Sequence, residues 1–512
     1  MSKQGIIRLV KSLSSAEKRH FKLSSRKQSG NKDYLTLFDL IDQSKLMDLS
    51  SLEKKFQQQC PGASLENAAK YLLKVLTDSL IQSRTEKDAV FQQHYNLLRV
   101  RVLFERSLLD EGYKELKKVQ QTAVASQNHF IQYLTYRYEL DHLSDQQFPG
   151  LTDKDLLDIQ MKARHTLKGM HKIHEHHSLF ELLKHRLIYA GKTLSEQDKK
   201  HLNDLLLSEL SLITGKVDYN FESQKLHLLF QSFFFTHISD YKSALKIFQE
   251  LNMLFESNPG MWNNPPLDYL SCLEGILDSL RTIRHYDTME FYIQKIRLLT
   301  RPDQTEYFSF IAAKTIWIYR LNMLTGMGRF QEAVALAQDI DPALLKEGNI
   351  IDYEKQSELL FYLGLSYFGA HQWEKANKYI NRIILMGKIN YHSPVYKAAR
   401  LLNILIHYEQ HNLEYLQYDI RSYKRTFQYK GQLLKTEKLI FKIISLHPNG
   451  NGLMKNQILW GKIKSSIPPI EADKYELQLQ KYFDFLAWSK AKFKHIPLQQ
   501  EMEQALPANN PA

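Results

Sequence analysis

The stretch Ser357–Arg382, SELLFYLGLSYFGAHQWEKANKYINR, constrains the fold of this chain more than any other. Leu360, Leu363, Gly364 and Tyr367 recur at three- and four-residue spacing, and Trp373, Ala376, Ile380 and Ile383 do the same after a polar break, Gly369-Ala370-His371-Gln372. That is the periodicity of two amphipathic helices folded into a hairpin. Gly364 and Ala376 are small enough to let the two backbones approach, and Tyr367 and Trp373 fill the space beside them.

The register extends in both directions. Leu228, Phe235, Tyr241, Ala244, Phe248 and Leu251 fall on the same positions, as do Leu273, Leu280, Tyr286, Met289, Ile293 and Ile296, and then Trp317, Leu324, Phe330, Ala333, Ala337 and Ile340. Around Leu413, Leu416, Ile420 and Tyr423 only the second helix is kept. Equivalent positions at 244, 289, 333, 376 and 416 lie 45, 44, 43 and 40 residues apart. This order of small and large residues resembles the tetratricopeptide repeat, whose standard period is about 34 residues. The resemblance implies an α-solenoid of stacked hairpins, with longer helices or loops absorbing the excess length. In that family the first helix of each hairpin lines a groove. Carried onto this chain, the groove positions are Leu229 and Phe233, Glu274 and Asp278, Ile318 and Asn322, and Phe361 and Leu365. The family's carboxylate clamp uses Lys, Asn and Arg at such places; Glu274, Asp278, Phe361 and Leu365 depart from it. The groove would suit an apolar or amphipathic peptide with some positive charge. The alternative is that these side chains are buried against neighbouring helices.

The rest of the chain reads as all-α. Its 512 residues exceed a single hydrophobic core, and 20 Gly and 14 Pro are few enough for long helices. Residues 1–90 form a basic helical region, with Ser14/Glu17 and Ser50/Glu53 as capping boxes and Pro61-Gly62 as a break. Residues 91–224 are irregular hairpins in which Tyr113, Leu116 and Ala123 suit a second helix, Thr152/Asp155 and Ser195/Asp198 mark helix starts, and Gly150 and Gly191 mark breaks. Residues 225–430 are the repeat array. Residues 431–495 are a closing group of helices interrupted at Pro468-Pro469, and 496–512 a frayed tail.

Two cysteines, Cys60 and Cys272, give no disulfide framework, and neither a secretory signal nor a membrane-spanning run is present, so the expected setting is the cytoplasm. The formal charge of +12 is concentrated. Residues 1–30 carry eight Lys or Arg against Glu17 alone, and residues 421–450 carry seven against Glu437 alone.

No catalytic pattern is complete. Gly191-Lys192-Thr193 lacks the upstream glycine of a phosphate-binding loop, because position 186 is Arg, and His174-Glu175 lacks the second histidine of a zinc-protease helix, because position 178 is Ser. His171, His174, His176 and His177 could pair on a helix face, yet a solvated polar helix explains them better. On the helix from Asn412 to Gln428, Tyr418, Arg421 and Arg425 line up beside Lys424, a face able to grip phosphate or an acidic partner, or to be a plain solvated surface. The expectation is a non-catalytic scaffold or adaptor for a protein or peptide, with no cofactor and no metal. The alternative is a nucleic-acid-binding regulator, in contact through residues 1–30 and 412–442, with the array as sensor.

Overall fold

The computed structural model describes residues 3–26, 32–44, 49–85, 88–189, 196–213, 220–262, 265–301, 304–345, 353–387, 393–428, 433–446 and 457–505. Every regular element among them is helical, and consecutive helices pack against one another, so the chain is an all-α solenoid.

Among the described residues, five helices come first: Lys3–Lys11, Ser15–Arg26, Asp33–Gln43, Leu49–Gln59 and Leu65–Thr85. They share one apolar cluster built on Ile6, Val10, Phe21, Leu37, Phe38, Phe56, Leu72 and Leu76. The Ser14 capping box is formed: the Ser14 hydroxyl accepts from the Glu17 backbone N–H at 3.2 Å, and the Ser14 backbone N–H donates to the Glu17 carboxylate at 2.8 Å. Ser50 and Glu53 do not repeat it, because the helix already begins at Leu49 and both residues lie inside it.

Seven hairpins follow: Ala89–Glu105 with Leu109–Ala125, His129–Asp145 with Asp153–Tyr189, Phe221–His237 with Tyr241–Ser257, Leu267–Thr282 with Met289–Leu299, Glu306–Gly326 with Phe330–Gln338, Tyr353–Gly369 with Trp373–Leu385, and Pro394–Glu409 with Leu413–Gln428. The extra helix Glu196–Ile213 packs on the long Asp153–Tyr189 helix. Thr152 and Asp155 cap that long helix, whereas Ser195, Gly191 and the Gly191-Lys192-Thr193 stretch lie outside the described residues.

One turn recurs in the array. Ser239, Arg284, Gly328, His371 and His411 all adopt positive φ, between 56° and 79°, and they lie 45, 44, 43 and 40 residues apart. After each, a backbone N–H reaches back five residues: Asp240 to Phe235, His285 to Leu280, Arg329 to Leu324 and Gln372 to Tyr367 at 2.9 Å, and Asn412 to His407 at 3.0 Å. This is the Schellman closure, which satisfies carbonyls left open at a helix end. Only Gly328 has the residue type that enters the left-handed region without steric cost. The excess over a 34-residue period sits in helices as long as Glu306–Gly326 and in short insertions, Pro259–Met261 and Pro342–Leu345.

Packing between hairpins is close. A Cβ on Gly364 would stand 2.6 Å from Ile380 Cδ1, and one on Gly369 would stand 2.0 Å from Phe330 Cδ1 in the preceding hairpin. Small residues there are a steric requirement.

The chain closes with Lys435–Leu446, Gln457–Glu471, Leu477–Gln480, Phe485–Lys494 and Leu498–Gln504. Two expectations change here. Pro468 and Pro469 do not break a helix; they sit in the last turn of Gln457–Glu471, which ends just beyond them. The stretch assigned to a frayed tail contains a helix, Leu498–Gln504, with Glu501 and Met502 buried.

Candidate functional site

The first helices of the hairpins from 267 onward face the closing segment, and that segment fills the face they make. Lys481 lies 3.3 Å from the Asp278 carboxylate, whose other oxygen accepts from Arg281 Nε at 2.7 Å. Arg281 also reaches Glu358, donates to the Tyr362 hydroxyl at 3.1 Å, and lies over the rings of Tyr319 and Tyr482 at 5.2 Å each. Arg284 pairs with Asp484 at 2.7 Å. Tyr482 packs edge-on against Phe361 and Phe483 against Phe368. Trp488 Nε1 donates to Glu409 at 2.8 Å. Burial pushes the Asp278 carboxyl up, but the charges of Arg281 and Lys481 outweigh it and hold it down at about 2. Burial lowers Lys481, and Asp278 more than reverses that.

Magnitudes decide what kind of contact this is. Phe483, Phe485, Leu486, Trp488, Phe493 and Met502 are each at most 5% exposed. At about 1.5–3 kcal/mol per buried side chain, set against the entropy of ordering the segment, they join it to the same apolar cluster as the first helices. The closing segment is a constitutive part of the core.

The groove positions inferred from the repeat resemblance therefore have assigned neighbours. Asp278 holds Lys481, Phe361 meets Tyr482, and Asn322 and Leu365 line a remnant cavity of about 30 Å³ shared with Phe483 and Asp484. That is room for a single water. Ile318 is buried, Glu274 accepts from Thr315 at 2.6 Å and pairs with Lys355, and Phe233 packs on Phe180 and His237. Leu229 is half-buried.

The histidine cluster divides. His171 faces solvent beside Glu175, while His176 turns inward: its Nδ1 lies 3.0 Å from Glu209 Oε1, and His227 Nδ1 lies 2.9 Å from the same oxygen. Burial pushes the Glu209 carboxyl up, and hydrogen bonds from the two imidazoles bring it below its ordinary value. Three helices are tied together at one carboxylate. Among the described residues, no group of three or more His, Cys, Asp or Glu is arranged to hold a metal ion, and no helix is long and apolar enough to cross a membrane.

Among the described residues, two exposed surfaces stand out. On Leu413–Gln428, Tyr415, Tyr418, Arg421, Lys424 and Arg425 are exposed, while Leu416 and Tyr423 are buried and Asp419 holds Arg400 at 2.9 Å. The other surface is on Ala89–Glu105. Leu97 and Val100 are buried against Leu109–Ala125, whereas Tyr95, Leu98 and Val102 on the opposite side are 55%, 64% and 54% exposed. Sequence reading missed this second surface because the helix is apolar nearly all round, so periodicity alone does not mark which side is covered. No known family model matches the chain, and no match was found to a curated protein or a solved structure.

Proposed function

We propose that this protein is a non-catalytic scaffold of the tetratricopeptide-like kind, and that it binds a protein partner on its N-terminal hairpins. The observation that carries the reading is the apolar side of Ala89–Glu105, where Tyr95, Leu98 and Val102 are more than half exposed. Ile81 on the neighbouring Leu65–Thr85 helix is 51% exposed beside them. Exposed apolar side chains gathered in one place mark interaction sites more often than scattered ones do. The groove of the later hairpins already holds the closing segment, which favours the N-terminal hairpins for an external partner. The test is affinity capture from the native host with the wild-type chain, with L98D, and with F291D as a control at another exposed apolar residue. A partner recovered with wild type and F291D but lost with L98D supports the proposal; recovery of the same proteins by all three contradicts it.

A second reading rests on the exposed Tyr415, Tyr418, Arg421, Lys424 and Arg425 face, which has the aromatic and cationic groups of a phosphate or nucleobase contact. It expects nucleic-acid binding that weakens steeply with salt and falls in R421E/R425E. Absence of a salt-dependent shift removes it.

A further inference from the structure

The exposed side of Ala89–Glu105 carries more than hydrophobicity. Phe91, Tyr95, Leu98 and Val102 follow one another at spacings of four, three and four. That is the a/d seam of a heptad repeat, the pattern onto which one further helix packs. The seam covers twelve residues, or roughly 18 Å of helix. Phe91 is half-buried under Arg84, 5.7 Å from its ring, and the other three are exposed. At the next seam position Glu105 replaces the apolar residue and ends the stripe.

The flanks select the occupant. Beside the seam lie Gln92, Arg99 and Arg106 on one edge and His94 and Arg101 on the other, with no carboxylate among them. Residues at these e and g positions pair across a helix–helix contact and set the choice of partner. A second copy packed antiparallel with the seams overlaid would set Arg99 against Gln92 and Arg101 against His94; packed parallel, it would set Arg101 against Arg106. Neither arrangement offers an arginine a carboxylate across the contact, and the parallel one opposes like charges. The basic edges are only partly neutralised at home: Arg101 bonds Glu105 at 3.0 Å, and Arg99 stands 3.9 Å from Glu115. Alongside the seam, Asp78, Ile81, Gln82 and Thr85 frame with Tyr95 a shallow groove of about 670 Å³, open to side chains of an incoming helix.

We infer that this face docks an amphipathic helix of a partner protein whose apolar seam is flanked by Glu or Asp, and that it does not mediate self-association. The inference rests on the scaffold reading above and specifies its ligand.

The test is a fluorescence-anisotropy titration of the full chain with two labelled synthetic helices, each of three heptads with Leu at a and d. One carries Glu at e and g, the other Lys. The Glu-flanked helix is expected to bind at least about tenfold tighter, with the difference shrinking at high salt. L98D and V102D should each weaken it about tenfold or more while far-ultraviolet circular dichroism stays unchanged, as exposed positions allow; F291D should not. Equal affinity for both helices, or full binding by L98D, overturns the inference. So does a concentration-dependent dimer that L98D abolishes, which would assign the face to a second copy. If neither helix binds while capture of a native partner still depends on Leu98, the helical ligand is wrong and the scaffold reading stands.

Discussion

In the hairpins from 267 to 428 the first helices are buried on both sides: Phe361, Leu365, Leu401 and Leu405 are at most 1% exposed, covered by neighbouring hairpins and by the closing segment. In the hairpins from 89 to 145 the apolar cluster of Leu97, Val100, Leu116, Val119 and Ile131 shares the interior with polar groups. Their interior holds polar side chains, with Gln93 Nε2 donating to Ser126 Oγ at 2.8 Å, Gln132 Nε2 to the Ala123 carbonyl at 2.9 Å, and buried Glu139 accepting from Gln120 Nε2 at 2.9 Å and pairing with Lys117. Tyr95, Leu98 and Val102 lie outside. A hairpin can thus be held by satisfied polar networks as well as by an apolar core. The difference teaches where to look for function: the later hairpins cover the apolar face of their first helices, with single residues such as Phe291, Leu298 and Leu385 exposed elsewhere, whereas Ala89–Glu105 leaves a row of apolar residues uncovered on a first helix.

Substitutions at matched apolar positions should separate the halves, beginning with the largest effect. Trp488→Ala removes a ring that is 1% exposed and should cost about 3–5 kcal/mol, read from chemical denaturation; a loss under about 1 kcal/mol would mean the closing segment is not part of the core. Asp278→Ala leaves Arg281 and Lys481 facing each other without their shared carboxylate, and should cost roughly 3 kcal/mol. The same carboxyl sets an acid limit. Because its folded value is depressed to about 2, its contribution is present above the ordinary carboxylate range and is lost as pH falls from about 4 towards 2. Acid unfolding followed by tryptophan fluorescence should therefore shift when Asp278 is replaced. Gly369→Ala forces a methyl onto Phe330 and should cost about 1–3 kcal/mol in thermal unfolding. Leu98→Ala, by contrast, should change stability by less than about 0.5 kcal/mol, since the side chain is 64% exposed. A large loss at Leu98 would erase the contrast between the halves.

The local half of this architecture was legible in the residues. Helical spacing located the later hairpins, and the steps of 45, 44, 43 and 40 residues between equivalent positions recur in the left-handed turns at Ser239, Arg284, Gly328, His371 and His411. Those turns themselves were hidden, because four of the five are not glycine and no residue type announces them. Ser14 and Thr152 could be read as caps because a cap is a three-residue affair; Ser50 could not, because the identical pattern also occurs inside a helix. What no local pattern could show is which faces meet at long range. Lys481 lies 203 residues from Asp278 along the chain, and His176, Glu209 and His227 come from three separate helices. Groove positions named one by one gave no sign that the chain's own Lys481-Tyr482-Phe483 would lie against them. The exposed seam on Ala89–Glu105 was equally invisible until the covered side of that helix was known.

Hydroxyl-radical footprinting of the full chain, with mass-spectrometric readout at single residues, tests the contrast most directly. Tyr95 and Leu98 should oxidise readily, while Phe361, Tyr482, Phe483 and Trp488, each at most 5% exposed, should stay protected until the protein unfolds. Oxidation of Phe361 and Tyr482 at rates matching Tyr95 in the native protein would show the later groove to be open and would contradict the account.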